Sequence, residues 1–107
     1  MRDERLGQTV VIFLSRRTPE GDAGYAAAAA AMEALAATQP GYRGIDSVRG
    51  ADGIGITLSY WADDASALAW RNHPEHRTIR DAGRGEWYES YEVVVAGVTR
   101  DYRWNKS

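Results

Sequence analysis

The chain of 107 residues contains no cysteine, and this absence excludes both disulfide bonds and thiolate metal sites. It also lacks a hydrophobic run long enough to cross a bilayer, and its first residues lack the apolar region of a signal peptide. We therefore expect a cytoplasmic protein with no membrane partner. The 13 lysine and arginine residues, against 15 aspartate and glutamate residues, are spread along the chain rather than gathered in a basic patch, so we expect no nucleic-acid partner.

Phenylalanine occurs once, whereas there are four tryptophans and six tyrosines. Indole and phenol rings suit surfaces that are partly apolar and partly wet, including interfaces and pockets. The length fits a single domain, residues 1–107, with a modest core. Within it we expect a flexible lead at residues 1–8. We also expect a tail at residues 101–107 that packs at a dimer interface, because Tyr102 and Trp104 lie in a segment too short to bury them.

Four β-like segments and two helical regions alternate along the chain. The β-branched run Thr9–Ser15 predicts a strand, and the alanine-rich run Tyr25–Thr38 predicts a helix. Two further strands follow at Tyr42–Arg49 and Ile54–Trp61, and the last is Trp87–Arg100. With the second helical region between the last two strands, the order is β-α-β-β-α-β, which is the pattern of a ferredoxin-like α+β fold.

Pro74 divides the second helical region into two pieces, because proline cannot continue a helix but suits the first turn of one. The predicted pieces are Ala65–Arg71 and Pro74–Asp81, and the preceding aspartate pair offers an N-cap for the first. The inward positions of the first piece would be Ala65, Leu68 and Ala69.

The last strand has apolar side chains on both faces. Val93 and Val95 point to one face, and Val94 and Ala96 point to the other. The helices of a ferredoxin-like domain cover only one face of its sheet, so the second apolar face needs another cover. In a chain this short the simplest cover is a second copy, and we expect a homodimer.

The stretch Thr57–Gly85, followed by YESYEVVVAGVTRDY, resembles the antibiotic biosynthesis monooxygenase family. The resemblance is carried by a strand that ends in Tyr60-Trp61, an acidic helix start, Ala69-Trp70-Arg71, and the run NHPEHR at residues 72–77. It implies ferredoxin-like protomers that form a dimeric α+β barrel, with a cavity between helices and sheet in each protomer.

In the family's best-understood branch, cofactor-free oxygenases act on phenolic polyketides, and an Asn, a Trp, a Tyr and an Arg surround the ring. Trp61 stands at the Trp position and Arg80 at the Arg position. The Asn position falls at Thr57 and the Tyr position at Ala67, so two of the four groups are present. The resemblance therefore implies an oxygenase that uses no cofactor and has an altered site.

A second branch of the family degrades heme, and it needs an Asn on the first strand, a Trp on the second helix and a later His ligand. Trp70 matches the Trp, but Leu14 is nearest the Asn position and Arg80 stands at the His position. His76 lies one turn too early to be a direct replacement. Because a guanidinium cannot ligate iron, the resemblance disfavours heme degradation.

The two histidines, His73 and His76, lie on either side of Pro74. We expect no metal site, because the proline changes the chain direction between them and no third ligand has a diagnostic spacing. In the first turn of a helix and near Arg77 and Arg80, His76 would have a lowered pKa and could act as a neutral general base. The alternative is that its ring bonds the backbone and packs on Trp70.

We predict a cofactor-independent monooxygenase that acts on a small aromatic, phenolic or quinone-like metabolite. His76 would be the base and Arg80 would hold the anion, although Arg80 could equally form a surface ion pair. The alternative function is a non-catalytic small-molecule-binding or stress-related dimer of the same fold. A roomy pocket at the site would favour the enzyme, and a packed one would favour a structural role. The substrate-binding residues would be Trp61, Trp70, Thr57 and Tyr88.

Overall fold

The computed structural model describes residues 4–19, 22–84 and 86–106, and it confirms the predicted α+β, ferredoxin-like fold with its second helical region divided in two. All four predicted strands are present. β2 and β3 have the predicted bounds, β1 ends two residues later than predicted, and β4 is shorter than predicted at both ends. The elements are β1 Thr9–Arg17, α1 Asp22–Ala36, β2 Tyr42–Arg49, β3 Ile54–Trp61, α2 Asp64–Arg71, α3 Pro74–Gly83 and β4 Tyr88–Gly97.

The four strands form one antiparallel sheet in the order β2-β3-β1-β4, so β1 is central and β4 lies at an edge. Residues paired across the sheet share a face. Trp61 pairs with Thr9, and its indole stacks on α2, so this face is the one turned toward the helices. Two-residue alternation places Thr57 and Ser59 on the same face, as predicted, and places Ile56 on the opposite, outer face.

The bend between α2 and α3 follows from two N-caps and one proline. The Asp63 carboxylate accepts the Ser66 N–H at 2.8 Å, which begins α2. Nδ1 of His73 accepts the Glu75 N–H at 3.2 Å, and Pro74 then occupies the first helical position of α3. None of the three helices found in the described part of the chain has the length and hydropathy of a membrane-spanning segment.

The predicted inward face of α2 is wrong. The buried residue of this helix is Ala67, which packs with Trp61 and Ala36 in the small core. One turn later Trp70 stacks on the same indole, so a large ring three residues beyond Ala67 sets the rotation of the helix. The three residues predicted to face inward, Ala65, Leu68 and Ala69, are exposed.

The outer face of the sheet is apolar and uncovered in the single chain. Val48 is 70% exposed, Ile56 41% and Val94 40%. Val93 and Val95 lie on the helix-facing side of β4, and they too are about half exposed because β4 is an edge strand that the helices do not reach across. Both faces of the last strand are therefore apolar and open, in agreement with the sequence pattern.

The predicted flexible lead at residues 1–8 is anchored where the structure describes it; residues 1–3 lie outside the described residues. The Arg5 side chain is buried and its guanidinium lies 3.9 Å from the centroid of the Tyr60 ring. The backbone N–H of Arg5 donates to the Asp101 carboxylate, so the two ends of the domain are joined. A buried, stacked guanidinium explains why this segment does not extend into solvent.

The tail beyond β4 carries two large rings with no cover in the single chain. Tyr102 is 89% exposed and Trp104 is 82% exposed. Aromatic side chains of this size normally bury most of their surface. Their exposure is the pattern expected of side chains that a partner covers, and the predicted place of the tail at a dimer interface stays a prediction.

Candidate functional site

Three of the predicted site residues form a continuous stack of rings. The Trp61 and Trp70 indoles lie with centroids 6.0 Å apart and planes at 25°. The His76 imidazole lies on the other side of the stack, 4.4 Å from Trp70 and 11° from parallel. Trp61 is fully buried and its Nε1–H donates to the Ser59 hydroxyl at 3.0 Å, so the inner end of the stack is fixed in the core.

The hydrogen bond of His76 determines which ring nitrogen carries the proton. Nδ1 lies 3.0 Å from the Trp70 carbonyl oxygen, and a carbonyl can only accept. The neutral ring must therefore carry its proton on Nδ1, which leaves the lone pair on Nε2. Nε2 thus keeps the free lone pair of the ring, while the bond to the backbone and the packing on Trp70 match the structural alternative expected for His76.

The environment of His76 favours the neutral ring. Burial lowers the pKa of His76 below its usual 6.5, and the positive charge of Arg80 acts in the same direction, as does His73 when it is protonated. The hydrogen bond to Trp70 acts in the opposite direction but is the smaller effect. An unprotonated imidazole at neutral pH is what a general base requires.

Arg80 lies one turn beyond His76 on α3 and reaches back to α2. Its Nη1 donates to the Arg71 carbonyl oxygen at 3.3 Å, and its side chain is 22% exposed. Its Nε is buried, lies 3.8 Å from the Asp81 carboxylate, and has no hydrogen-bond partner among the described residues. Arg80 is therefore next to the ring stack, and one of its donors is used on the backbone.

The other two predicted site residues lie elsewhere on the helix-facing side of the sheet. Trp61 pairs with Thr9 at one end of β1, whereas Tyr88 pairs with Arg17 at the other end. Eight residue steps of β1 separate these positions, or about 27 Å at about 3.4 Å per residue. Thr57 lies midway, and its hydroxyl is 2.7 Å from that of Ser47 on β2.

Tyr88 belongs to a second aromatic cluster, in which rings at the start of β4 contact Phe13 and Tyr25, two partners that the sequence did not predict. Phe13 contacts both Tyr88 and Tyr91 with ring centroids 5.4 Å apart, and Tyr25 of α1 contacts Tyr88 at 5.8 Å. Burial, reinforced by a hydrogen bond with Tyr25, raises the pKa of Tyr88 above its usual range. The signal that could have revealed the cluster is the concentration of aromatic residues at the start of β4.

A cavity of ≈ 260 Å³ lies between α2 and the segment that follows α1. Trp70 is the one predicted site residue that lines it, and Trp61, His76 and Arg80 do not. The cavity does not provide the roomy space at the stack that would favour the enzyme on the sequence argument. Its lining residues are Gln39, Pro40, Asp63, Ala65, Ser66, Ala69 and Trp70.

The histidines do not converge on a common point. The Nδ1 lone pair of His73 is used as the N-cap of α3, as expected for a helix cap, and Nδ1 of His76 is used on Trp70. Across residues 4–19, 22–84 and 86–106 no three His, Asp or Glu side chains are grouped as metal ligands would be.

The sheet order and the helices on one face define a ferredoxin-like α+β protein, and solved structures share this fold. Rv0793 from Mycobacterium tuberculosis superimposes with a TM-score of 0.78 at 16% identity, covering 90% of this chain and 99% of that one. SnoaB from Streptomyces nogalater, a cofactor-independent oxygenase, superimposes with a TM-score of 0.74 at 16% identity, covering 88% of this chain and 95% of that one.

Residues 8–82 match the profile of the antibiotic biosynthesis monooxygenase family, and the chain belongs to that family. The uncharacterized protein YqjZ of Bacillus subtilis (strain 168) is 51% identical over 90 residues, which are 84% of this chain and 78% of YqjZ. The jasmonate monooxygenase ABM of Pyricularia oryzae is 33% identical over 51 residues, which are 48% of this chain and 24% of that enzyme.

Proposed function

We propose that the protein is a cofactor-independent monooxygenase that oxidises a small phenolic or quinone-like metabolite, with His76 as its general base. The observation that carries this proposal is the hydrogen bond from His76 Nδ1 to the Trp70 carbonyl, which leaves the Nε2 lone pair available on a ring kept neutral by burial. Membership of the family and the named activities of SnoaB and the jasmonate enzyme support the reaction class.

The reaction begins when the phenol transfers its hydroxyl proton to Nε2 of His76. The phenolate is electron-rich enough to reduce dioxygen, so the chain itself has to bind, deprotonate and shield the substrate. One oxygen atom forms a new bond to a ring carbon as that carbon loses its hydrogen, and the O–O bond breaks. The other oxygen leaves as water with the hydroxyl hydrogen and the ring hydrogen, so a phenol and O₂ give a quinone and water.

Arg80 and the indoles support a flat, anionic reactant. The Arg80 guanidinium stays positive at any physiological pH, and it lies one helical turn from His76, where it favours a phenolate over a phenol. The indole of Trp70 supplies an aromatic surface beside the base. The remaining predicted contacts, Thr57 and Tyr88, are more distant along the sheet and would reach only a longer substrate.

The partner in this proposal is a second copy of the chain. The outer face of the sheet presents exposed Val48, Ile56 and Val94, and the tail presents exposed Tyr102 and Trp104. Apolar surface of this extent on a monomer marks an interaction site. A homodimer would bury both features and would cover the sheet face that the helices leave open.

Oxygen consumption with a panel of phenols and hydroquinones tests the function. We expect turnover in the wild type and a decrease of about 10²-fold in kcat in His76→Gln, because a general base contributes about that much. The matched control is His73→Asn, which changes the other histidine near Trp70 and keeps an N-cap side chain. Its rate should stay close to wild type. Absence of turnover across the panel would contradict the proposal.

A non-catalytic small-molecule-binding dimer is the second candidate. It is favoured by the complete burial of Trp61 and by a cavity that does not border His76. The cavity volume of ≈ 260 Å³ exceeds the roughly 150 Å³ of an enclosed cavity that holds benzene, so its volume is sufficient for a single ring. Binding of a single-ring compound with quenching of Trp fluorescence, but with no oxygen uptake, would select this candidate.

A further inference from the structure

Two side chains of α3 bind two consecutive carbonyls at the carboxyl end of α2. His76 donates from Nδ1 to the Trp70 oxygen at 3.0 Å, and Arg80 donates from Nη1 to the Arg71 oxygen at 3.3 Å. The last carbonyls of a helix have no partner within it and carry a partial negative charge, so a cationic donor is favourable there. One helical turn of α3 thereby holds the end of α2 at two adjacent points.

We propose that Arg80 is a positioning residue that keeps the proton of neutral His76 on Nδ1 by holding the end of α2 within reach of the imidazole. The role goes beyond stabilising a substrate anion, because Arg80 acts here through the backbone of Arg71 and the neighbouring Trp70. Its importance for catalysis rests on the proposed function, but its effect on the tautomer is a property of the free protein.

The helix end would be less constrained without Arg80. α2 has eight residues, and a helix this short depends on its contacts rather than on its own propensity. The chain turns directly from Asn72 and His73 into Pro74, and the backbone bonds across this turn are Asn72 N–H to Leu68 and His73 N–H to Trp70, so the bond from Arg80 is the contact that reaches the Arg71 oxygen from α3. The Trp70 oxygen also accepts the His73 N–H at 3.1 Å, so loss of the Arg80 bond frees the Arg71 oxygen and shifts the Trp70 oxygen relative to Nδ1 without releasing it from the backbone.

The position of the proton on His76 decides whether the ring can act as a base. With the proton on Nδ1, the lone pair is on Nε2, away from Trp70. With the proton on Nε2, the lone pair would face the Trp70 carbonyl, where two electron-rich atoms repel and no substrate can approach. In a neutral histidine, the hydrogen bond that one ring nitrogen makes decides whether the other nitrogen carries the proton or the lone pair.

His73 provides an internal reference of opposite tautomer. Its Nδ1 accepts the Glu75 N–H at 3.2 Å, so in the neutral ring the proton must be on Nε2. Two-bond ¹H–¹⁵N spectra of the free protein with ¹⁵N-labelled histidine, recorded above the pKa of both rings, distinguish the two forms. His73→Asn assigns the signals, since asparagine preserves the N-cap.

Two variants of Arg80 distinguish the effect of its hydrogen bond to Arg71 from the effect of its positive charge on His76. Arg80→Met removes the donor and the charge, whereas Arg80→Lys keeps the charge on a side chain one bond shorter, which we expect to weaken the bond to the Arg71 oxygen. The matched control is Arg77→Met, which removes an exposed arginine from the same helix. The charged groups that face His76 are Arg80 from its own helix and His73 at the helix start, so Arg77→Met leaves them intact.

We expect the ratio of Nδ1–H to Nε2–H in His76 to decrease by about tenfold in both Arg80 variants, as the loss of a hydrogen bond to a charged group allows. Arg77→Met and the His73 signal should not change. If Arg80→Met does not fold, the charge-conserving Arg80→Lys answers the same question. An unchanged Nδ1–H signal in folded Arg80→Lys and Arg80→Met would overturn the proposal. Because no substrate is used, this outcome is independent of whether the protein is an oxygenase.

Discussion

The imidazole of His76 lies flat on the indole of Trp70, 4.4 Å away, and donates its Nδ1 proton to the carbonyl oxygen of the same residue. One residue thus provides both the surface on which the ring rests and the acceptor that orients it. A histidine held at two points loses little further freedom when a substrate binds. The pair is therefore preorganised, and the changes that matter most for it are changes of proton and of charge.

The stability of the protein should decrease on mild acidification because of His76. Its folded-state pKa is lowered from 6.5, so as the pH falls through 6.5 the unfolded chain takes up the proton first. The free energy of unfolding should decrease from there until the folded-state pKa is passed. Urea unfolding of wild type and His76→Gln at several pH values measures this effect, which should be absent in the variant.

Two carboxyls titrate in a separate, more acidic range. The pKa of Asp63 is lowered by its hydrogen bonds with Ser66, and that of Asp101 by the Arg5 N–H. Their stabilising effect is present above the usual value of 3.8 and is lost below it. If the free energy of unfolding depends on pH in the same way in wild type and His76→Gln between pH 6.5 and 3.8, His76 does not cause the decrease in stability on mild acidification.

The outer face of the sheet should mediate dimerisation. Ile56→Asp places a charge on this face, and we expect it to convert a dimer to a monomer in light scattering at micromolar concentration. Leu68→Asp is the matched control, because Leu68 is 50% exposed on α2, away from the sheet. A wild type that scatters as a monomer would contradict the interface, as would an Ile56→Asp variant that remains dimeric.

Gly41 should tolerate alanine less well than Gly7, although both have φ of +83°. A Cβ at Gly41 would lie 2.5 Å from the Ser66 Cβ, whereas a Cβ at Gly7 meets nothing within 4 Å. Gly7→Ala should cost only the left-handed conformation, about 1 kcal/mol. Gly41→Ala adds a clash and should cost about 3 kcal/mol or more. Thermal or urea unfolding gives both values, and equal costs would refute the close contact.

Hemin should not bind tightly. Arg80 stands where a ligand is implied by the resemblance to heme-degrading relatives, and a guanidinium cannot ligate iron. Titration with hemin should give no sharp, saturable Soret band. A stoichiometric band that disappears in His76→Ala would instead make Nε2 of His76 the ligand.

The strands were predicted well from the sequence, because the alternation of apolar and polar residues along a strand follows the two faces of the sheet. β2 and β3 have the predicted bounds, and Thr57, Ser59 and Trp61 share a face as the period of two requires. The rotation of α2 was not predictable in the same way. A helix of eight residues covers little more than two turns, so its pattern of apolar residues defines the buried face poorly. Whether Ala67 or Leu68 is buried depends on the position of Trp61 on the sheet.

The candidate site was predictable in part. The stack of Trp61, Trp70 and His76 joins residues that the sequence analysis had grouped, and the bond from His76 to the backbone was one of its alternatives. The bond from Arg80 to Arg71 and the distance of Tyr88 from the stack depend on the angle between two helices and on the strand register. Neither quantity is recorded in local periodicity, so neither could be read from the chain.

The central position of β1 has a consequence for synthesis. Within this domain β1 is synthesised before the other strands, but its neighbours are β3 and β4, and β4 ends at Gly97. Both edges of β1 therefore stay unpaired while most of the chain is still being made, and its run of valine, isoleucine and leucine is exposed throughout. We expect the nascent domain to be prone to aggregation during this interval, and the sheet can close only after nearly all of the domain has emerged.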